Sequence, residues 1–486
     1  MRHLLALVLL LPLVACAQAP AGPAPDSVAP AAASAPAADL GLPSVAEAAA
    51  RVDALLDEGL RDHRAFALLR DLCERAPHRL AGSAGYAEAA AWAEESLRAA
   101  GLQNVRRQAL LAEHWVRGSV ERVTLNTGLL GAQELAACSL GRSVGTPPGG
   151  ITAPVVEVAG VDDLLARAES GESFSGKVIF FNGPMEPTVR ATFQAYGSAV
   201  GQRSRGAAEA SRVGGVAALV RSMSTALDDA PHTGALRYDD DVPRVPALAL
   251  GVLSAETLSA ALRAGTVESV TLESDCRMLP PARTWNVMGE IPGSTRPEEV
   301  LVVGGHLDGW DKGQGAHDDG GGCAASIEAA RLLLATGFRP ERTIRVVLFA
   351  NEENGLAGGR AYAAEHGPEE RHLLALESDS GSFAPRGIAL SLPDGVLERL
   401  RPLGAPLAAV GAERVLPGGG GADIGPLREH GCRLGSLRVE DSRYFDLHHS
   451  DNDTLDQVNP RELELGAVVL AHWLAVLSGA DEAVFG

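Results

Sequence analysis

Positive charge is in short supply: 42 lysines and arginines face 62 aspartates and glutamates, a net of −20 at pH 7. Nucleic acids are bound through clustered basic residues, so this balance argues against a nucleic-acid partner. Cysteine is also sparse. The six are Cys16, Cys73, Cys138, Cys276, Cys323 and Cys432, and no two form a C-x-x-C pair. They read as mostly buried thiols with at most one or two disulfides. The apolar run from Leu4 to Val14 is too short to span a bilayer, which leaves it the length and flanks of a secretory signal behind Arg2 and His3.

Leu13-Val14-Ala15-Cys16 resembles the bacterial lipobox, which makes residues 1–16 a lipoprotein-type signal and Cys16 the lipidated first residue. Ordinary cleavage after Ala17 or Ala19 is the alternative. Either way the chain is expected to be exported, to the periplasm or cell envelope as a lipoprotein or otherwise secreted. A lipid anchor would be its one attachment to a membrane. Residues 17–43 are rich in alanine and proline and nearly uncharged, the composition of a tether.

The 486 residues exceed what one hydrophobic core usually organises, so two domains are expected. Helical periodicity fills Val45 to Gly101, with a turn at Arg79 to Ser83 ahead of a helix from Ala84. Val105 to Leu111 and Val116 to Leu125 alternate as strands and are expected at one edge of the main sheet. Between residues 146 and 276 the pattern changes. Strand candidates Val155 to Val158, Val178 to Phe181, Ala217 to Val220 and Ala247 to Leu250 alternate with glycines and carry little chemistry. The reading is a main α/β domain of residues 44–145 and 277–486, interrupted by an insert of residues 146–276.

The chemistry concentrates after Val300-Leu301-Val302-Val303, where Gly304 to Gly322 set two histidines and four aspartates among glycines. Such an apolar run reads as a buried parallel strand, and open α/β sheets place their sites beyond the carboxyl ends of their strands. His306 and Asp308 therefore stand at a site. Taken one at a time, these residues would fit a solvated acidic loop with helix-capping aspartates. Three further segments decide otherwise. Ile344 to Phe349 delivers Glu352 and Glu353, Leu373 to Leu376 delivers Asp379, and Tyr444 to Thr454 contains His448 and His449. Adjacent glutamates point in different directions, so one can bind a metal while its neighbour faces a substrate.

These motifs (H-x-D, D-D-G-G-G, E-E, E-S-D-S-G and H-H-S) together resemble the M28 family of zinc exopeptidases, and most closely its carboxypeptidase Q branch. The resemblance implies an α/β zinc-exopeptidase fold, a mixed central sheet flanked by helices, with a protease-associated (PA) domain as the insert. It implies two zinc ions per chain, held by His306, Asp318, Glu353, Asp379 and His449, with Asp318 bridging and the peptide to Asp319 cis. Glu352 becomes the general base and Asp308 the partner that steadies the His306 ring. His448 takes the position of a group that stabilises the oxyanion, or else merely packs beside the site. The charges agree with this implication, because three carboxylates and a hydroxide offset two Zn²⁺.

The glycine-rich segment Pro417 to Pro426 is expected to line the substrate cleft, with Gly420 in its turn. Asp423 meets a substrate amine or caps the helix that follows. The substrate implied is a dipeptide or other short peptide, and the branch implies a homodimer. The alternatives are an aminopeptidase of the same family, a single-zinc acyl transferase of the glutaminyl cyclase kind, and a non-catalytic binding protein on the same fold.

Overall fold

The run Val300 to Val303 is apolar at every position because both faces of its strand are covered. In the computed structural model, which describes residues 40–128 and 131–486, Leu301 and Val303 join one core cluster while Val300 and Val302 join another. Successive side chains alternate across a strand, so a strand buried on both sides leaves no polar face. The strand Arg296–His306 lies at the heart of an eight-stranded sheet. In order, its neighbours are Gln103–Val116, Arg277–Ile291, Arg342–Phe349, then Arg296–His306 itself, Arg371–Glu377, Arg433–Val439, Pro385–Leu390 and Arg414–Pro417. Arg296–His306 runs parallel to both of its neighbours, whereas Gln103–Val116 and Arg277–Ile291 pair antiparallel. The sheet is therefore mixed.

Helices close both faces. On one side Val45–Asp62, Gly321–Ala335 and Pro460–Ser478 bury Val52, Ile327, Leu333, Val469 and Trp473 against Leu301, Val303 and Ile344. On the other, Ala357–His366 sets Tyr362 against Val302, Val347 and Phe349. The chain enters the first of these helices through Ser44 and Glu47, whose side chains cap each other's backbone amides. Ser83 caps Ala84–Ala99 at the expected turn.

Strands between Glu121 and Ser274 form two further sheets. One is antiparallel, in the order Ala132–Leu135, Glu121–Asn126, Ser269–Ser274, Ile151–Ala153. The other holds the four expected strands, Val155–Val158, Val178–Phe181, Ala217–Arg221 and Ala247–Leu250, in parallel, with Ala137–Ser139 antiparallel at its edge. Val123, Leu125, Val270 and Leu272 of one pack against Val178, Phe180, Leu219 and Leu248 of the other, a core separate from that of the large sheet. One expectation fails here. The segment Val116 to Leu125 does not continue along the main sheet: the strand Gln103–Val116 ends, and Glu121–Asn126 pairs with Ser269–Ser274 instead. Asp275 makes the corner by accepting the amides of Ser119 and Val120, both at 2.8 Å.

The expected signal peptide, lipobox Cys16 and most of the tether lie outside the described residues. Among those described, no helix is long and apolar enough to cross a membrane, and the five cysteines are buried thiols without a disulfide. Leu301→Ala should cost about 2–5 kcal/mol, because a fully buried leucine at the centre of the sheet loses its transfer energy and leaves a cavity. Urea unfolding measures it, and an unchanged midpoint would show that this core does not carry the fold.

Candidate metal centre

Register brings the site together. His306 pairs with Phe349 and Gly304 with Glu377, so three adjacent parallel strands release their chains at one level. His306 is the last residue of the first, Glu352 and Glu353 follow the second, and Asp379 follows the third. Asp318 lies in the turn before helix Gly321–Ala335, and its peptide to Asp319 is cis. His449 arrives on the loop after Arg433–Val439.

Asp318 stands between two pairs. Its Oδ1 is 3.2 Å from His306 Nε2, which is 3.7 Å from Asp379 Oδ1. Its Oδ2 is 3.3 Å from His449 Nε2, which is 3.0 Å from Glu353 Oε2. Despite these distances, Asp318 Oδ2 and both Glu353 oxygens are buried without a well-directed hydrogen bond. Buried acceptors left unbonded are costly unless a cation takes their place. His306, Asp318 and Glu353 present donor atoms within 4.8 Å of one another, as do His306, Asp319 and Asp379. So do Asp318, His448 and His449, but His448 Nε2 stands 3.8 Å from Asp318 Oδ2 and its ring stacks 3.5 Å from that of His449, so His449 is the better placed.

The electrostatics agree. Burial, followed by the Asp318 charge, pushes Glu353 up to about 7. Burial also holds Glu352 well above the ordinary carboxylate range, against the pull of His306 and with the charges of Asp379, Glu353 and Asp318 adding to it. So many carboxylates at one spot repel one another, and nitrogen and oxygen donors converging without a thiolate suit a divalent cation.

The surrounding contacts differ from expectation in two places. Asp308 does not steady His306 through its carboxylate: His306 Nδ1 is 3.0 Å from the Asp308 backbone carbonyl and 4.0 Å from the carboxylate. The carbonyl still fixes the ring, accepting a hydrogen bond from Nδ1–H and leaving the Nε2 lone pair for the site. The Asp308 side chain instead accepts the amides of Glu352 at 3.0 Å and Glu353 at 3.3 Å, fixing the turn that presents both. Gly420 and Asp423 are the second correction, because neither lines the cleft. Ile424 donates its amide to Glu377 Oε2 at 3.0 Å, which draws this segment inward. Asp423 is 1 % exposed, its oxygens have no hydrogen bond, and it does not cap the turn that follows.

Three supports surround the site, the first at a helix-capping position the sequence already suggests and the other two outside the sequence reading. Asp319 accepts the amides of His306 and Gly322, each at 3.1 Å, tying strand end to helix start. Asp453 accepts those of His317 at 2.7 Å and Asp318 at 3.1 Å. Arg79, fully buried, donates to the carbonyls of Leu307, Gln314 and Gly315 at 2.6–2.7 Å and so closes the loop that precedes Asp318. Asp453 carried a signal in its nearness to His449. Arg79 carried none, since its partners lie more than 220 residues away. The cleft is a cavity of about 580 Å³ lined by Glu352, Glu353 and Leu356 together with Arg142, Ser204 and Arg237.

Known proteins resemble this chain in sequence and in fold. The profile of peptidase family M28 matches residues 286–474. Carboxypeptidase Q of Mus musculus is 36% identical over 425 residues, 87% of each chain. The crystal structure of a peptidase M28 precursor from Shewanella amazonensis SB2B superposes with a TM-score of 0.83 at 32% identity, covering 90% of this chain and 97% of that one. An aminopeptidase from Aneurinibacillus sp. strain AM-1, 20% identical with a TM-score of 0.59 over 90% of this chain and 96% of that one, shares the fold. Identity above one third across nearly the whole of a peptidase settles the family: this chain belongs to peptidase family M28.

Proposed function

We propose that the chain is an exported two-zinc exopeptidase that hydrolyses dipeptides or other short peptides. The observation that carries the reading is the placing of Asp318, whose two oxygens face separate histidine and carboxylate pairs at 3.2 and 3.3 Å. His306, Asp379 and Asp318 would hold one zinc ion, and His449, Glu353 and Asp318 the other. Bound there, the ions supply the charge that lowers the pKa of a water towards ~7 and polarises the peptide carbonyl. Glu352 sits at the wall of the cleft, where its carboxylate takes the water's proton and hands it to the leaving nitrogen. Asp308 positions this base through its backbone amide. His448, buried beside His449, is the candidate donor to the developing oxyanion.

A cavity of about 580 Å³ suits a short peptide better than a folded chain. The PA-type insert supplies one of its walls through Ser204 and Arg237. Export rests on the apolar segment Leu4 to Val14 and on Cys16.

Purified protein should contain about two zinc ions per chain, and chelation should abolish activity that zinc restores. Full activity at a reproducible stoichiometry near one would remove the two-zinc reading. Glu352→Gln keeps the shape of the base but not its function, so kcat should fall roughly 10²- to 10⁴-fold with zinc retained. Glu353→Gln should instead release metal, and the reverse pattern would show the two roles to be exchanged. In a mass-spectrometric panel, dipeptides free at both ends should be cut in preference to N-acetylated or C-amidated ones. Cleavage of C-amidated but not N-acetylated peptides would make the enzyme an aminopeptidase, and internal cuts in a folded protein would refute the exopeptidase reading.

A further inference from the structure

His449 has a backbone φ of 62°, in the left-handed region. A histidine is disfavoured there, and such a residue persists only where its surroundings over-determine it. The group that holds it comes from across the molecule: the His449 carbonyl accepts the amide of Thr233 at 2.9 Å. Thr233 lies between the strands Ala217–Arg221 and Ala247–Leu250, within the region inserted into the peptidase sheet. It is itself fixed. Its hydroxyl donates to the Ser139 carbonyl at 2.9 Å and accepts Arg117 Nη2 at 3.2 Å, while Arg117 Nε donates to Asp311 Oδ1 at 2.8 Å on the loop after His306.

Neighbouring contacts repeat the pattern. Thr225 Oγ1 donates to Asp446 Oδ1 at 2.7 Å, Asn452 Nδ2 to Asp228 Oδ2 at 2.9 Å, and Thr192 Oγ1 to the Asp441 carbonyl at 3.1 Å. Arg203 Nη1 stands 3.2 Å from His449 Nδ1. The rings of Phe193 and Tyr196 stack on Tyr444 and Phe445 at 5.4 and 4.5 Å. The peptidase body adds Lys312, whose Nζ is 2.9 Å from Asp451, beyond His449. Thus the segment from Asp441 to His449 leans on the insertion.

We propose that Thr225, Asp228 and Thr233 are positioning residues of the metal centre, setting His449 in its ligating pose from the insertion. The inference rests on the reading of His449 as a ligand. Coupling of this kind is reciprocal, so metal at His449 must also tighten the seat of the insertion. Groups one step behind a metal ligand typically govern affinity by about 10- to 100-fold.

The test uses the full chain carrying Thr225→Val with Asp228→Ala, which removes two side-chain ties to the loop and leaves every ligand in place. Chelator competition should show one of two zinc ions bound about 10-fold more weakly and the other unchanged, with the metal-free melting temperature unaltered. Restoring the hydroxyl with Thr225→Ser should recover part of the affinity. Hydrogen exchange should show zinc slowing the Thr233 amide in the parent protein, and less so in the variant. Unchanged affinity for both ions, exchange at Thr233 indifferent to zinc, or equal weakening of both ions with a lower metal-free melting temperature would each overturn the proposal. His449→Ala separates the two readings. If it binds two zinc ions as tightly as the parent, the ligand assignment itself falls; if it loses one while the double variant loses none, only the positioning role falls.

Discussion

Mutual repulsion among buried carboxylates is the constraint around which this structure is built. Asp308, Asp318, Asp319, Glu353, Glu377, Asp423 and Asp453 are all buried at one end of the main sheet. Two like charges 4 Å apart cost about 4 kcal/mol even at an effective dielectric of 20, so so many carboxylates could not share one site by packing alone. The chain meets the problem with backbone. Asp308, Asp319 and Asp453 each accept two amides, and Glu377 accepts one, which turns acidic side chains into struts for the turns around them. What these struts leave unsatisfied is Asp318 Oδ2, both Glu353 oxygens, Glu377 Oε1 and both Asp423 oxygens, and of these Asp318 and Glu353 stand beside the two histidines, where a cation is called for.

This division also explains what could be read from the sequence. His306, Asp318, Glu352, Glu353, Asp379 and His449 stand beside apolar runs or in short motifs, and parallel register does the rest by aligning the strand ends. The four strands of the insertion's parallel sheet are legible for the same reason, since burial on both faces writes itself as continuous apolar sequence, whereas the mixed order of the large sheet comes only with the family resemblance. The reach of a side chain is not written that way. The family resemblance makes Asp308 the partner of the His306 ring, yet its carboxylate turns to the amides of Glu352 and Glu353. Nor could Asp423 be placed, because glycines suggest an exposed loop and cannot reveal that Glu377 draws the segment inward.

Arg79, Arg117 and Thr233 belong to a third class. Each is a single polar residue whose partners are far away in the chain, with no periodicity or neighbouring motif to mark it. Their burial marks them only once the fold is known, since a buried guanidinium must find carbonyls or carboxylates. The destination of the Val116 to Leu125 segment is hidden for a related reason. Alternation in Val116 to Leu125 identifies a strand but not the sheet that it joins, and the corner at Asp275 is made by a partner from the far side of the insertion.

The antiparallel pairing of Gln103–Val116 with Arg277–Ile291 has a topological consequence. Val116 lies opposite Arg277, so the chain leaves the peptidase sheet and returns to it at neighbouring points of one ladder. Opposed residues of an antiparallel pair lie about 5 Å apart, a gap that a two-residue hairpin spans. The whole excursion through the smaller sheets therefore occupies the place of a tight turn. Its length enters the entropy of closing that ladder only logarithmically, at about 0.6 kcal/mol for each doubling. An insertion so connected can change in size or sequence without altering the order of a single strand in the large sheet, whose strand ends present His306, Glu353 and Asp379.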